Sequence, residues 1–305
     1  MSLCLSCAQA LPTGEQRYHE FCLLALFDTK VLPAIHVDMA KLHTLALAMV
    51  GRVSVSGVQR KLSLHLDATR STLQIVGGPG GYLLKPPAGT FPHLPENEWT
   101  TQCLAALVGL AVPPCALVAL PDDSWAYIVR RFDRLPDGTK LAMEDFCQLS
   151  ELPPCGKYDG SAEQCAKHVR RFASEPLIDL LRLYRQFVFT WWVGNGDLHL
   201  KNFALLRNAH GRWSLSPAYD QLNTGLVIPG DTLALPICGK SDRLKPKTWD
   251  ELATRFGIGM KAARRVRDEL RDHVNDAVAL VEASPLPAEM RAGYAEQLQS
   301  RGAGL

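Results

Sequence analysis

What the chain has little of narrows its class first. It lacks a charge imbalance: 33 Lys and Arg stand against 31 Asp and Glu, a net charge of +2, so the composition demands no polyanionic partner. It lacks a run of the roughly 20 apolar residues that a membrane helix needs; the strongly apolar stretch Phe187–Val193 is far shorter. The first residues, MSLCLSCAQALPTGEQRYHEF, lack the basic start and apolar centre of a secretory signal. No internal repeat or low-complexity tract is visible, and the phosphate-loop pattern G-x-x-x-x-G-K-[ST] is absent. With no sign of export, the nine cysteines read as reduced thiols of a cytoplasmic protein, not as a disulfide framework.

What is present fits a globular enzyme. Apolar residues make up 47% and charged residues 21% of 305, enough for one large domain or two lobes with a buried core. Between Val53 and Leu66 apolar and polar residues alternate around Gly57, which predicts two short strands and a tight turn. A strand is expected over Gly81–Lys85, stopped by Pro86-Pro87. Trp99, Cys103, Leu107 and Leu110 stand near helical spacing and predict a helix over Glu96–Leu110. Strands are expected over Ala116–Leu120 and Trp125–Phe132.

The second half reads differently. A long helix is expected over Glu175–Val193, then a loop over Gly194–Asn202. Phe203–Leu206 and Trp213–Leu215 are expected to pair across the Asn-Ala-His-Gly turn, and Trp249–Ala283 is helical. The fold class that follows is α+β, a two-lobed protein-kinase-like arrangement with a β-rich N-lobe and a helical C-lobe. Its expected parts are a Cys/His segment over 1–24, an N-lobe over 25–145 and a C-lobe over 146–305.

The candidate chemistry centres on Gly194-Asn195-Gly196-Asp197-Leu198-His199-Leu200-Lys201-Asn202. Phosphoryl transfer needs a carboxylate to take the proton of the attacking hydroxyl, and ligands for the metal on the nucleotide phosphates. The spacing Asp197-x4-Asn202 can place a base and a metal ligand on one loop. Asp220, after the expected strand–turn–strand, supplies a second acidic ligand, and His199 and Lys201 could position groups or offset phosphate charge. Upstream, Ser54-Val55-Ser56-Gly57-Val58-Gln59-Arg60-Lys61 offers a Gly turn, hydroxyls and cations suited to phosphates. Lys85 ends a strand, and Glu98 on the next helix is its natural ion-pair partner. Singly, each has an ordinary alternative: a turn aspartate, a helix cap, a solvated lysine or a solvated glutamate. Their joint order argues for the site.

With those motifs in view, SVSGVQRKLSL, YLLKPP, ENEW, MEDFCQL, GNGDLHLKNFALL and SPAYDQLNT resemble the HipA-type serine kinases of bacterial toxin–antitoxin systems. The resemblance implies a kinase-like fold, ATP and Mg²⁺ as cofactors, and an aminoacyl-tRNA synthetase as protein substrate. It implies Asp197 as base, Asn202 and Asp220 as Mg²⁺ ligands, and Lys85 and Lys61 at the phosphates. It also implies Ser54, Val55, Ser56 and Gly57 in the phosphate loop, with Glu144–Phe146 as the hinge that meets adenine. Only 53 residues precede that loop, and with Ser54-x-Ser56 this resembles the short HipT-like branch. That branch implies a separate HipS-like small protein, a HipB-like DNA-binding partner, and autophosphorylation on Ser54 or Ser56. Neither direct nucleic-acid binding nor membrane association is expected.

Two weaker signals remain. Cys4-x-x-Cys7 and His19-x-x-Cys22 have the internal spacing of a structural Zn²⁺ site; the alternative is a reduced thiol pair on a small apolar cap. Trp249–Val266 has a faint helix-turn-helix look around Gly257 and Gly259. It keeps open a DNA-binding regulator; a non-catalytic pseudokinase is a second alternative, against which the intact Asp197, Asn202, Asp220 and Lys85 argue.

Overall fold

The computed structural model describes residues 2–12, 16–35, 61–67, 69, 71–87, 91–135 and 137–305. Ser54, Val55, Ser56 and Gly57, with the strand expected from Val53, lie outside them. The chain divides into two compact units. The first takes in Met1–Cys103, Pro113–Thr139 and Ala283–Leu286; the second Leu104–Val112, Lys140–Glu282 and Pro287–Leu305.

The first unit is built on a sheet. Its elements are helix α1 (Glu20–Phe27) and strands β1 (Ala34–Ile35), β2 (Leu62–Asp67), β3 (Thr72–Ile75) and β4 (Tyr82–Lys85), then β5 (Cys115–Ala119) and β6 (Trp125–Arg130). Helix α2 (Leu94–Leu107) contributes its first turns. The strands lie in the order β1-β3-β2-β4-β6-β5, antiparallel except for the β1–β3 pair. Leu62 and Leu64 of β2, Leu84 of β4, Ile128 of β6 and Val118 of β5 form the core with Cys4, Tyr18, Leu26 and Phe27 from the N-terminal segment. Gly80 is required by close approach: a Cβ there would stand 2.0 Å from the Leu64 carbonyl oxygen, while its N–H donates to Ser63 Oγ at 2.6 Å.

The second unit is helical around a small sheet. In chain order it holds β7 (Met143–Asp145), α3 (Phe146–Leu149), α4 (Ala162–Phe172), α5 (Pro176–Val193), β8 (Ala204–Arg207) and β9 (Trp213–Leu215). Helices α6 (Pro246–Arg255), α7 (Met260–Asp272), α8 (Val274–Ala283) and α9 (Ala288–Gly302) follow. The second half of α5 is buried all round, from Gln186 to Val193, as a helix apolar on every side must be. Phe187 stacks on Phe203 at 5.0 Å between centroids, and Trp192 Nε1 donates to the Leu298 carbonyl at 2.9 Å. Among the described residues no helix is long and apolar enough to cross a membrane.

Most expected elements form within a residue or two. The helix expected to reach Leu110 ends at Leu107, because Gly109 turns the chain at φ +75° and the Leu110 N–H folds back to the Ala105 carbonyl. The long helical stretch from Trp249 is divided into α6, α7 and α8, with Gly257 at φ +65° between the first two. In α7, Ala263, Val266, Arg267 and Leu270 are buried, and Arg267 is paired with Asp250 of α6. Arg267, just past the Trp249–Val266 stretch that has the helix-turn-helix look, is thereby committed to the interior.

Candidate active site

In the first unit the candidate site residue Lys85 closes a strand. β4 ends at Lys85 because Pro86 and Pro87 bring no N–H to the ladder. Lys85 faces Tyr127 of β6 in register, with Nζ 5.5 Å from the centre of that ring. Its ammonium donates to Oε1 of Glu98 on α2. Lys85 is 2% exposed and Glu98 1%, so neither is a solvated surface charge; ions this dry are stable only when matched. Lys61, beside the first residue of β2, is also buried.

In the second unit α5 delivers the loop. Gly194 caps the helix in the left-handed region, φ 74°, with its N–H to the Thr190 and Trp191 carbonyls. The chain then makes a loop, a 3₁₀ turn over Leu200–Asn202 and the strand β8. Asn195, fully buried, ties this loop to the segment after β9. Its Oδ1 accepts the Asp197 N–H at 3.2 Å, and its Nδ2 donates to the Asp220 carbonyl at 3.3 Å. Asn202 Nδ2 donates to the Asp197 carbonyl at 3.2 Å. The structure thus links Asp197, Asn202 and Asp220 through hydrogen bonds between the Asn195 and Asn202 side chains and the backbone, and holds Asp220 at φ 52°.

The Asp197 carboxylate stays half-buried and accepts at Oδ1 from the Tyr158 hydroxyl, 2.7 Å away. Partial burial and the adjoining carboxylate push the Tyr158 phenol up, so it remains a donor. Burial holds His199 down to about 4, against the pull of Asp197 and Asp220; it is a neutral ring set edge-on to Tyr158 at 5.2 Å. Lys201 is already balanced, its Nζ 3.2 Å from an Asp145 carboxylate oxygen. Phe146 is fully buried and stacked on Phe203, and its N–H donates to the Phe203 carbonyl; Glu144, on β7, is exposed.

Four residues of this site carried no role in the sequence reading: Asn195, Tyr158, Thr224 and Asp231. Asn195 lies inside the Gly194–Asn202 motif, where its adjacency to Asp197 was the signal. Tyr158 lies 39 residues from Asp197 and left none. Thr224 accepts the Gly196 N–H at 2.7 Å and donates to Asp231. A Cβ at Gly196 would stand 2.1 Å from Asp231 Oδ2 and 2.6 Å from the Thr232 carbonyl oxygen. Gly196→Ala is therefore expected to destabilise the protein by about 1–3 kcal/mol through overpacking. Denaturant unfolding reads this directly; an unchanged midpoint would show slack in the loop.

These features can be set beside known proteins. The model of the HipA-like C-terminal domain matches residues 53–279. Y4mE of Sinorhizobium fredii, which carries a provisional kinase name, is 33% identical over 243 residues, covering 75% of this chain and 57% of its own. Y4dM of the same organism, similarly named, is 30% identical over 263 residues, 82% of this chain and 64% of its own. The chain thus spans about six tenths of the length of these relatives. Among solved structures, HipA from the Shewanella oneidensis complex of HipA, HipB and operator DNA superposes with a TM-score of 0.68 at 20% identity, over 82% of this chain and 64% of that one. The Helicobacter pylori proinflammatory kinase CtkA gives 0.51 at 16% identity, over 73% of this chain and 87% of that one. Both share the kinase-like α+β fold.

Proposed function

The chain belongs to the HipA-like C-terminal domain family, and from that premise we propose that it is an ATP- and Mg²⁺-dependent serine/threonine kinase of a toxin–antitoxin system. The observation that carries the reading is the tie made by Asn195, which joins the backbone of Asp197 to that of Asp220. A phosphotransfer site needs its base and its metal ligands held in one fixed relation, and this contact supplies it.

Asp197 is the proposed base: the Tyr158 hydroxyl occupies Oδ1, and Oδ2 takes the proton of the substrate hydroxyl. The donors fit magnesium, which prefers hard oxygen ligands. Asn202 has its Nδ2 committed to the Asp197 carbonyl, leaving its amide oxygen for the ion, and Asp220 adds a carboxylate. When bound, the metal neutralises phosphate charge. Lys85, pre-oriented by Glu98 and Tyr127, would meet nucleotide phosphates, with Lys61 supporting them. His199, neutral and buried, packs edge-on to the Tyr158 ring that donates to the base.

Finer readings rest on the motif resemblance. They are an aminoacyl-tRNA synthetase as substrate, autophosphorylation of Ser54 or Ser56, and the HipT-like branch with HipS-like and HipB-like partners. Phosphate on those serines would set close to two negative charges beside the nucleotide's own. The test is transfer of labelled γ-phosphate from Mg-ATP, with peptide mapping of the product. Phosphoserine on this chain or on an added synthetase is expected. No transfer to any protein from a preparation that binds Mg-ATP would overturn the kinase reading.

A further inference from the structure

The N-terminal segment folds onto the edge of the six-stranded sheet around a knot of soft donors. Cys4 Sγ and Cys22 Sγ stand 3.8 Å apart, Cys7 Sγ and His19 Nδ1 3.5 Å. The four donor atoms all lie within 4.8 Å of one another, and all three thiols are free. Around a tetrahedral zinc ion with Zn–S of about 2.3 Å and Zn–N of about 2.0–2.1 Å, two sulfurs stand about 3.8 Å apart and a sulfur and a nitrogen about 3.5 Å. Both measured edges have those lengths. Thiol hydrogen bonds span similar distances, but they pair donors two at a time and do not explain four converging from two separate segments.

The surroundings of the histidine decide which nitrogen faces the cluster. His19 Nε2 lies 3.2 Å from the Ala10 carbonyl oxygen. A carbonyl only accepts, so Nε2 carries the proton and Nδ1 turns its lone pair toward the sulfurs. The His19 backbone N–H points at Cys4 Sγ, 3.4 Å away, where it supports a thiolate. Cys4 and Cys22 are buried and Cys7 is half-buried.

The residues bracketed by these donors cover an edge strand. β5 is the last strand of its sheet, and an edge leaves N–H and C=O groups open to unwanted pairing. Here the Leu117 N–H donates to the Leu5 carbonyl at 2.8 Å, and the Tyr18 hydroxyl donates to the Leu117 carbonyl at 2.6 Å. Ser6 Oγ donates to the Cys115 carbonyl at 2.7 Å. Leu5 and Ser6 sit between Cys4 and Cys7, and Tyr18 sits next to His19.

We propose that Cys4, Cys7, His19 through Nδ1 and Cys22 bind one zinc ion, which clamps the N-terminal segment over the edge of β5. Each thiol releases its proton to solvent as its sulfur takes the ion. Four protein ligands leave no open coordination position, so the site is structural. It stands independently of the kinase reading, since its readout needs no phosphotransfer.

The test is elemental analysis of the full chain purified without chelator. About one zinc per chain is expected, and Cys22→Ser should lose most of it and lower the thermal midpoint. A zinc content well below one per chain, with no uptake of added Zn²⁺ under reducing conditions, overturns the proposal, as does iron in zinc's place. Should the variant fail to fold, wild-type protein loaded with Co²⁺ decides. The strong visible bands of a tetrahedral, thiolate-bound ion support the site, and the weak spectrum of hydrated Co²⁺ overturns it.

Discussion

Asp197→Asn is expected to abolish phosphotransfer while leaving the fold intact. The substitution keeps shape and removes only the carboxylate charge. The amide oxygen can still accept from Tyr158, the backbone N–H still reaches Asn195 Oδ1 at 3.2 Å, and the carbonyl still accepts from Asn202 at 3.2 Å. What is lost is the group that takes the proton, a contribution of about 10²–10⁴-fold in rate. Single-turnover transfer from Mg-ATP measures it, with thermal unfolding as the control. If the variant keeps its midpoint and most of its rate, Asp197 is not the base. In cells the same variant should relieve any growth inhibition that the wild-type chain causes.

Lys85→Met carries the second large effect, and it falls on stability as well as activity. Glu98 is 1% exposed and accepts directly from the Lys85 ammonium. Taking away the cation removes a direct ionic partner from a buried carboxylate, at a cost of up to about 3–5 kcal/mol. Removing both charges together, as Lys85→Met with Glu98→Leu, should recover most of that loss, because a packed apolar pair needs no matching. Transfer activity should stay low in both, since the proposed phosphate contact is gone. Equilibrium unfolding of the two single variants and the double variant separates these effects. A double variant as unstable as Lys85→Met would show that packing, not charge matching, dominates there.

How much of this was legible beforehand depends on the range over which each feature is decided. The strand ending at Lys85 could be read because a short apolar run and a following Pro-Pro are local. The hairpin of β8 and β9 formed where its turn residues stood, with Asn208 Oδ1 accepting the His210 and Arg212 N–H groups at 3.0 Å each. The helix end at Gly109 was overrun because Leu110 continued the apolar spacing, while the turn is set by a left-handed backbone. The packing of Phe146 on Phe203, 57 positions later in the chain, could not be read locally.

The sequence by itself determined the family, the order of the lysine, glutamate, aspartate and asparagine, and the paired spacings of Cys4-x-x-Cys7 and His19-x-x-Cys22. Those are short-range facts, set by side-chain periodicity and the span of a few bonds. Only the tertiary structure decided that Tyr158 donates to Asp197, that Asn195 joins Asp197 to Asp220, that Lys201 is spent on Asp145, and that Nδ1 of His19 stands 3.5 Å from Cys7 Sγ. Each of those joins segments far apart in the chain, and what brings them together is the burial of α5 and of the sheet core, which no local pattern encodes.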